Sequence, residues 1–379
     1  MKVLYIGHYK EDGGWATAAT SQILALDHVG VDVVCRNITL TQDRENVHPR
    51  ILELEAKDTA DCTHLIQHIL PHHLVGTDKF KKNIVFTELE STSIKHVAWF
   101  EHLQLGTEVW VPNRRMKEHL SQDGIDNKSI HVVHHPCDEN RYKKKYEPIH
   151  IDQSEGKFKF YYIGDLNDRK NLDSMIRCFH SEFNPSEPVC FILKVRKFGH
   201  SSDQLRQIMD QKIFDIKSKL RMYRNITDYH NEITITEDIT DDQICALHQY
   251  GDCFVSATHG EAWSIPTFDA AAFGNYVITS DHGGPQEFIT ASKAGHKIMG
   301  DYTVCECTDA AFPFIFTGRE NWFVPSEPDI KKAMRFAFTE YTKNPIKFKQ
   351  ERVSCTTEMI RNFSYYNVGK RMKELLENE

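Results

Sequence analysis

One order of residues occurs twice in this chain, and it constrains the fold more than any other feature. KVLYIGHYKEDGGW (2–15) runs from a short apolar, β-branched stretch into a glycine-bearing loop. A helical pattern follows, ATAATSQILALDHVG (16–30), and ends at Gly30. FKFYYIGDLNDRKNL (158–172) repeats strand, glycine loop and helix entrance in the second half. A strand that is apolar on both faces needs cover on both faces, and the crossover helix of a βαβ unit supplies it. Further strand-like runs in the first half are VDVVC (31–35), NIVFT (83–87), EVWVP (108–112) and IHVVHH (130–135). In the second half they are PVCFILKV (188–195), EITIT (232–236), DCFVSA (252–257) and YVITS (276–280). The expected fold is α/β: two doubly wound, Rossmann-like domains in tandem, with ligand in a central cleft that both face.

A chain of 379 residues is too long for one ordinary core. DENRYKKKYEPIHIDQSEGK (138–157) is charged and lacks apolar period, so it reads as a linker. The expected division is 1–150, 151–360 and a terminal helix over 361–379. Other helices are expected over 201–223, with an apolar face at Ile208, Ile213, Ile216 and Leu220, and over 239–251, capped by Thr240 or Asp241. No run approaches the ~18 apolar residues of a membrane span. The N-terminal strand meets charge at once, unlike a signal peptide. Ten cysteines include no C-x2-C pair; Cys305 and Cys307 are close, while Cys35, Cys190 and Cys253 lie in apolar runs. They read as reduced core residues of a cytoplasmic protein. A net charge of −8 argues against general nucleic-acid affinity. KFKK (79–82) and RYKKKY (141–146) are candidate local basic faces, for membrane or nucleic acid, or plain solvated loops.

Four strand-end loops could carry chemistry. The first offers Gly13 and Gly14, where backbone N–H groups can approach an anion at a helix N-terminus. The second begins at Gly164 and sets Arg169 and Lys170 side by side at a helix entrance. Two cations there suit a diphosphate leaving group; the plainer reading has Asn171 or Asp173 capping the helix. The third, THGEAWSIPTFDAAAFG (258–274), follows a strand and enters a helix through Pro266. It holds Glu261 in the loop and Asp269 about one turn inside the helix, on the side facing the cleft. Both acids can accept hydrogen bonds from sugar hydroxyls. The fourth, DHGGPQEF (281–288), contributes Glu287.

Taken together these segments resemble the retaining glycosyltransferase family 4 enzymes of the GT-B fold. Their E-G-F-G-L-P-x-x-E-A-x-A-x-G pattern is similar to the stretch from Glu261 through Pro266, Asp269 and Ala270 to Gly274. Their G-x-L-x-x-R-K-N-L loop is similar to the stretch from Gly164 to Leu172, so Arg169, Lys170 and Asn171 fall on R-K-N. GGW, ending at Trp15, matches the glycine loop, and EVWVPN and IHVVHHPCD match further segments. The second acid is Asp269 rather than Glu, and Asp165 stands where many members carry Arg. Several members use a histidine of the first domain near the reacting sugar; FTELEST offers Glu88 and Glu90, and Glu90 matches the acid of the E-S-T triplet. His134 and His135 read as structural.

The resemblance implies a nucleotide-sugar co-substrate held by the second domain and an acceptor on the first, with the terminal helix crossing back to the first domain. Glu261, Lys170, Arg169 and Glu90 are the implied catalytic residues. Gly13, Gly14, Trp15, Gly164, Asn171, Trp263, Ser264, Ile265, Asp269 and Glu287 are the implied donor-binding set. Transfer of a hexosyl or pentosyl group to a hydroxyl acceptor, with retention, is the implied reaction. The acceptor class is a glycan, glycolipid or glycoconjugate, with a modified nucleic-acid base as the minority case. The chain lacks Asp-x-Asp and a dense His/Asp cluster, so no metal is expected. A nucleotide-sugar epimerase or hydrolase, and an inactive sugar-nucleotide-binding protein, are the competing readings. Oligomeric state is not readable.

Overall fold

A computed structural model of the protein describes residues 1–40, 47–290, 294–306 and 315–378. The chain divides into two compact units. The first comprises Met1–Lys143, Phe314–Glu320 and Glu358–Glu379; the second comprises Lys144–Pro313 and Asn321–Thr357.

The first unit is built on a parallel sheet of β1 (Lys2–Gly7), β2 (Asp32–Asn37), β3 (His64–His68), β4 (Lys82–Phe86), β5 (Glu108–Val111) and β6 (Ile130–Val132). Their order is β2-β1-β3-β4-β5-β6. The chain moves from β1 to β2 on one side, then returns to β3 on the other. β1 and β3 therefore flank the point where the strand order reverses, and loops leaving their carboxyl ends diverge there. Val3, Tyr5, Val33, Ile66, Ile84 and Trp110 form the core with Ile23 and Ala25 of the helix Gly14–His28. The terminal helix Tyr365–Glu377 closes it with Val368, Met372, Leu375 and Leu376. Contact there is close: a Cβ on Gly369 would stand 2.3 Å from the Ala25 carbonyl oxygen.

β3, HLIQH, is absent from the strands expected above. Its sequence mixes histidine and glutamine into the apolar run, yet every residue is buried. The polar groups are satisfied internally, as buried polar groups must be. Gln67 bonds the Val75 backbone through both its amide groups and donates to Asn83 Oδ1.

The second unit repeats the plan with β7 (Phe158–Asp165), β8 (Val189–Arg196), β9 (Ile233–Ile235), β10 (Cys253–Ser256), β11 (Tyr276–Ser280) and β12 (Gly295–Ile298). They run parallel in the order β12-β11-β10-β7-β8-β9. The reversal falls between β7 and β10. Phe158, Phe160, Phe179, Phe191, Leu193, Val255 and Ile278 lie in its core. An antiparallel hairpin, β13 (Gly300–Val304) with β14 (Asn321–Pro325), was not legible as strands. The helix expected over 201–223 stops at Leu220, because Arg221 takes left-handed dihedrals at φ 50°. Thr240 caps Asp241–Tyr250 reciprocally with Gln243.

Residues 138–157, expected as linker, hold a short helix, Glu139–Lys143, and a 3-10 turn, Asp152–Ser154. Ser154 is buried with its hydroxyl 2.6 Å from the Tyr250 hydroxyl, so this end belongs to the second unit's packing. In the two basic stretches, Lys82 pairs with Glu108 at 2.7 Å and Lys144 with Asp242 at 2.7 Å. Cys307 lies outside the described residues. Among the described residues no helix is long and apolar enough to cross a membrane.

Candidate functional site

In the second unit, the loops after β7 and β10 meet at the reversal point. β7 ends tightly: Tyr162 Oη donates to the Asp165 carbonyl at 3.1 Å, and a Cβ on Gly164 would stand 2.3 Å from that hydroxyl. A 3-10 turn, Asp168–Lys170, follows, capped by Asn167 Oδ1. Asn171 takes left-handed dihedrals (φ 52°) and starts the helix Leu172–Glu182 without a side-chain cap bond. Its amide instead donates to the Ala257 carbonyl at 2.9 Å, binding one loop to the other. The capping reading fails for Asp173 as well, which pairs with Lys212 at 2.6 Å.

This turn delivers Arg169 and Lys170 to Glu261. Lys170 Nζ donates to Glu261 Oε1 at 2.6 Å, and Arg169 Nη1 lies 3.4 Å from the same oxygen. Arg169 also donates to the Gly260 carbonyl at 2.6 Å, while its own carbonyl receives the His259 N–H at 2.8 Å. All three side chains are mostly buried: 12 % and 14 % exposed for the cations, 7 % for the acid. Two cations and one anion leave the cluster with a single net positive charge. Burial lowers the His259 pKa. Its ring stacks on Trp322 at 4.3 Å, and its Nδ1 lies 2.8 Å from the Phe323 carbonyl, so β14 braces this loop.

The DHGG loop packs onto the Glu261 backbone. Gly283, at φ +69°, could not carry a Cβ, which would stand 2.1 Å from the Glu261 carbonyl oxygen. At Gly284 a Cβ would meet Trp263 Cα at 2.3 Å. Glu287 is half-buried in the short helix Pro285–Phe288. The Trp263 ring is buried against Phe268 and Phe288, so it braces the loop by packing. Ser264 has φ 68°, an uncommon backbone for a residue with a side chain, and its hydroxyl pairs with Thr267 at 2.6 Å. The helix Ile265–Ala272 carries Asp269, which is buried, close enough for its charge to act on the Tyr161 phenol.

In the first unit, Gly13 (φ 116°) opens the helix Gly14–His28 without a side-chain cap, and a Cβ on Gly14 would meet nothing within 4 Å. The Trp15 ring turns to two imidazoles, 5.4 Å from His68 and 6.2 Å from His8. His8 Nε2 accepts from the Leu70 N–H at 3.0 Å, so Nδ1 donates to the Ile38 carbonyl at 2.7 Å. Burial lowers its pKa, in keeping with that neutral tautomer. His68, at the end of β3, has Nδ1 2.7 Å from Tyr5 Oη and Nε2 3.2 Å from Glu88 Oε1. His135 Nε2 lies 2.9 Å from the same carboxylate oxygen. Burial pushes the Glu88 carboxyl up, but His135 and His68 outweigh it and pull it down to about 2. Glu90, the expected acid, is half-buried two residues further on. Sequence reasoning passed over His8 and His68 and read His135 as structural. Their signal, histidine at or just past a strand's carboxyl end, needed β3 to be placed first. Among the described residues no group of three His, Cys, Asp or Glu is placed to hold a metal ion.

Comparison with known proteins bears on this geometry. Residues 147–299 match the family model described as Glycosyl transferases group 1. No curated protein matches the chain. Among solved structures, Anabaena HepE in complex with UDP-glucose is 14% identical, with a TM-score of 0.67 over 99% of both chains. Sucrose-phosphate synthase from Thermosynechococcus elongatus is 12% identical, with a TM-score of 0.65 over 99% of this chain and 98% of that one. The trehalose-6-phosphate synthase OtsA is 8% identical, with a TM-score of 0.68 over 100% and 99%. At such identities the likeness establishes the fold: two Rossmann-like units of the GT-B type.

Proposed function

We propose that the chain is a glycosyltransferase, moving a sugar from a nucleotide-sugar donor to a hydroxyl acceptor with retention of anomeric configuration. The observation that carries this reading is the Arg169–Lys170–Glu261 cluster. It lies at the reversal point of the second sheet, within the segment that matches the glycosyltransferase group 1 model. The UDP-glucose complex of HepE makes UDP-glucose the natural first donor to try.

Lys170 and Arg169 hold the diphosphate and stabilise the charge that gathers on it as the glycosidic bond breaks. Glu261 keeps both cations in place between turnovers and, once phosphate shares them, receives donor-sugar hydroxyls. Asp269 receives ribose hydroxyls. Gly164 and Asn171 shape the phosphate loop. Trp263, Ser264 and Ile265 present backbone at the sugar, and Glu287 stands on the adjoining loop. Gly13 and Gly14 leave the first unit's helix terminus open to an anion, Trp15 follows them in its first turn, and Glu90 serves the acceptor side. No protein nucleophile is needed: the acceptor oxygen bonds to the anomeric carbon, the carbon–phosphate oxygen bond breaks, and the hydroxyl proton leaves with the nucleoside diphosphate.

The test is a thermal-shift screen over nucleotide sugars, with Lys170→Ala and Glu261→Ala beside the wild type. A donor should raise the wild-type melting temperature and fail to raise that of either variant. Equal shifts in all three proteins would sink the site.

A further inference from the structure

The second unit's cluster accounts for a donor. The first unit holds a different constellation at the matching topological position. Open parallel sheets take ligands at the carboxyl ends of the strands where their order reverses. In the first unit that point lies between β1 and β3, and β4 is the next strand along. Those strand ends carry His8 with Trp15, then His68, then Glu88.

We propose that Glu88 binds the acceptor in the first unit, and that the acceptor is an uncharged saccharide at this contact: one carboxylate oxygen is fixed by His68 and His135, and the other receives an acceptor hydroxyl. This rests on the transferase reading above and names its second substrate class. Oε1 accepts the His68 Nε2–H at 3.2 Å, and the His135 Nε2 stands 2.9 Å from the same oxygen. Oε2 meets no hydrogen-bond partner among the described residues, and the side chain retains 12 % exposure. A carboxylate held at one oxygen and open at the other is an acceptor site already paid for in side-chain entropy.

The fixing groups are rigid. His68 is fully buried and held at its far nitrogen by the equally buried Tyr5. The carboxylate thus ends a packed chain, Tyr5–His68–Glu88, and cannot swing away. Trp15 supplies the second requirement for a sugar. A pyranose has hydroxyls at its edge and an apolar C–H face, and a half-buried indole 5.4 Å from the imidazole that holds the carboxylate matches both. Charge supplies the third. No lysine or arginine among the described residues pairs with Glu88, so a phosphate brought here would face a carboxylate with no cation to balance it. The site discriminates against anionic acceptors. Glu88 is a binding and positioning residue, fixed at Oε1 and open at Oε2.

The test uses the full chain with saturating UDP-glucose and four probes: glucose, maltose, sucrose and glucose 6-phosphate. Saturation-transfer NMR reads sugar contact, and calorimetry reads affinity. At least one neutral sugar should bind the wild type and shift the imidazole Cε1–H signals of His68 and His135, identified by His→Gln substitution. Glucose 6-phosphate should not. Glu88→Gln should weaken the neutral sugar roughly tenfold or more, as loss of a charge-assisted hydrogen bond requires. Glu88→Asp, which keeps the charge but draws the oxygen back, should weaken it too. UDP-glucose affinity should stay within about twofold in both. Equal sugar binding by Glu88→Gln, preference for the phosphorylated sugar, or no neutral sugar bound at all overturns the proposal. If Glu88→Gln melts early, the wild-type imidazole shifts decide alone: their absence with a bound sugar overturns it. A wild type that fails to bind UDP-glucose strikes instead at the transferase reading.

Discussion

Lys170→Met tests the cluster at its tightest contact. The substitution removes the ammonium 2.6 Å from Glu261 Oε1 and keeps most of the side chain's volume. Glu261, 7 % exposed, is left with Arg169 at 3.4 Å. Breaking a buried ion pair from one side costs about 3–5 kcal/mol, and the surviving guanidinium argues for the lower end, ~3 kcal/mol. A unit of this size shifts its melting temperature by about 2–4 °C per kcal/mol, so the drop should be roughly 6–12 °C. Glu261→Gln should cost less, ~1–2 kcal/mol, because Lys170 at 14 % exposure can turn toward water. The double variant should recover ~1.5 kcal/mol or more of the summed costs, since each single change strands the other's charge. Arg206→Met is the control. It breaks an exposed pair with Glu237, 41 % and 59 % exposed, and should cost no more than about 1 kcal/mol. Urea denaturation followed by fluorescence gives all four values. Adding UDP-glucose at ~100 times its Kd should stabilise the wild type by about 2.7 kcal/mol and the Lys170→Met variant by far less. Single costs that add within about 0.5 kcal/mol would refute the coupling, and with it the argument that Glu261 is held for the cations.

Other outcomes are expected. Gly14→Ala places a methyl where nothing stands within 4 Å; stability should hold within about 0.5 kcal/mol while UDP-glucose affinity falls roughly tenfold, checked by melts and calorimetry. Unchanged affinity would mean that no diphosphate approaches this helix end. Gly369→Ala forces its Cβ to 2.3 Å from the Ala25 carbonyl and should destabilise the first unit by about 1–3 kcal/mol in urea. Burial lowers the pKa of His8, His64, His68, His119 and His131 in the first unit. As pH falls below their unfolded value of 6.5, the unfolded chain takes up protons that these buried rings resist. Stability should therefore fall progressively from pH 6.5 downward, and melts between pH 7.5 and 5.5 that do not move would contradict it.

What could be read in advance followed physical periodicity. Strands such as KVLYIG and FKFYYIG are apolar on both faces, and their pattern survives without knowledge of neighbours. The turn that brings Arg169 and Lys170 to Glu261 lies in a local strand–loop–helix order that also reads from the chain. β3 did not read, because its histidines and Gln67 find partners far away in sequence: Tyr5, Glu88 and Asn83. No local rule marks such residues as buried. The same long-range partnership hid Glu88 behind Glu90, since His68 and His135, which meet Glu88, lie 20 and 47 residues away in sequence. The hairpin of β13 and β14 was lost for another reason: its first strand, at Gly300–Val304, is largely exposed and shows no buried face. Ser264 adopts left-handed dihedrals that the sequence gives no reason to expect of a serine.

The terminal helix has a consequence for how the molecule is made. Val368, Met372, Leu375 and Leu376 complete the first unit's core, yet they emerge from the ribosome after the whole of the second unit. During synthesis the second unit's strands and helices all appear between Lys144 and Thr357 and can fold as they appear. The first unit must meanwhile keep Ile23, Ala25 and the groove at Ala25 uncovered until the final helix arrives. The first unit, though most of it is translated before the second, is thus completed after it, and chaperone binding to the first unit of nascent chains should persist until Tyr365–Glu377 has emerged.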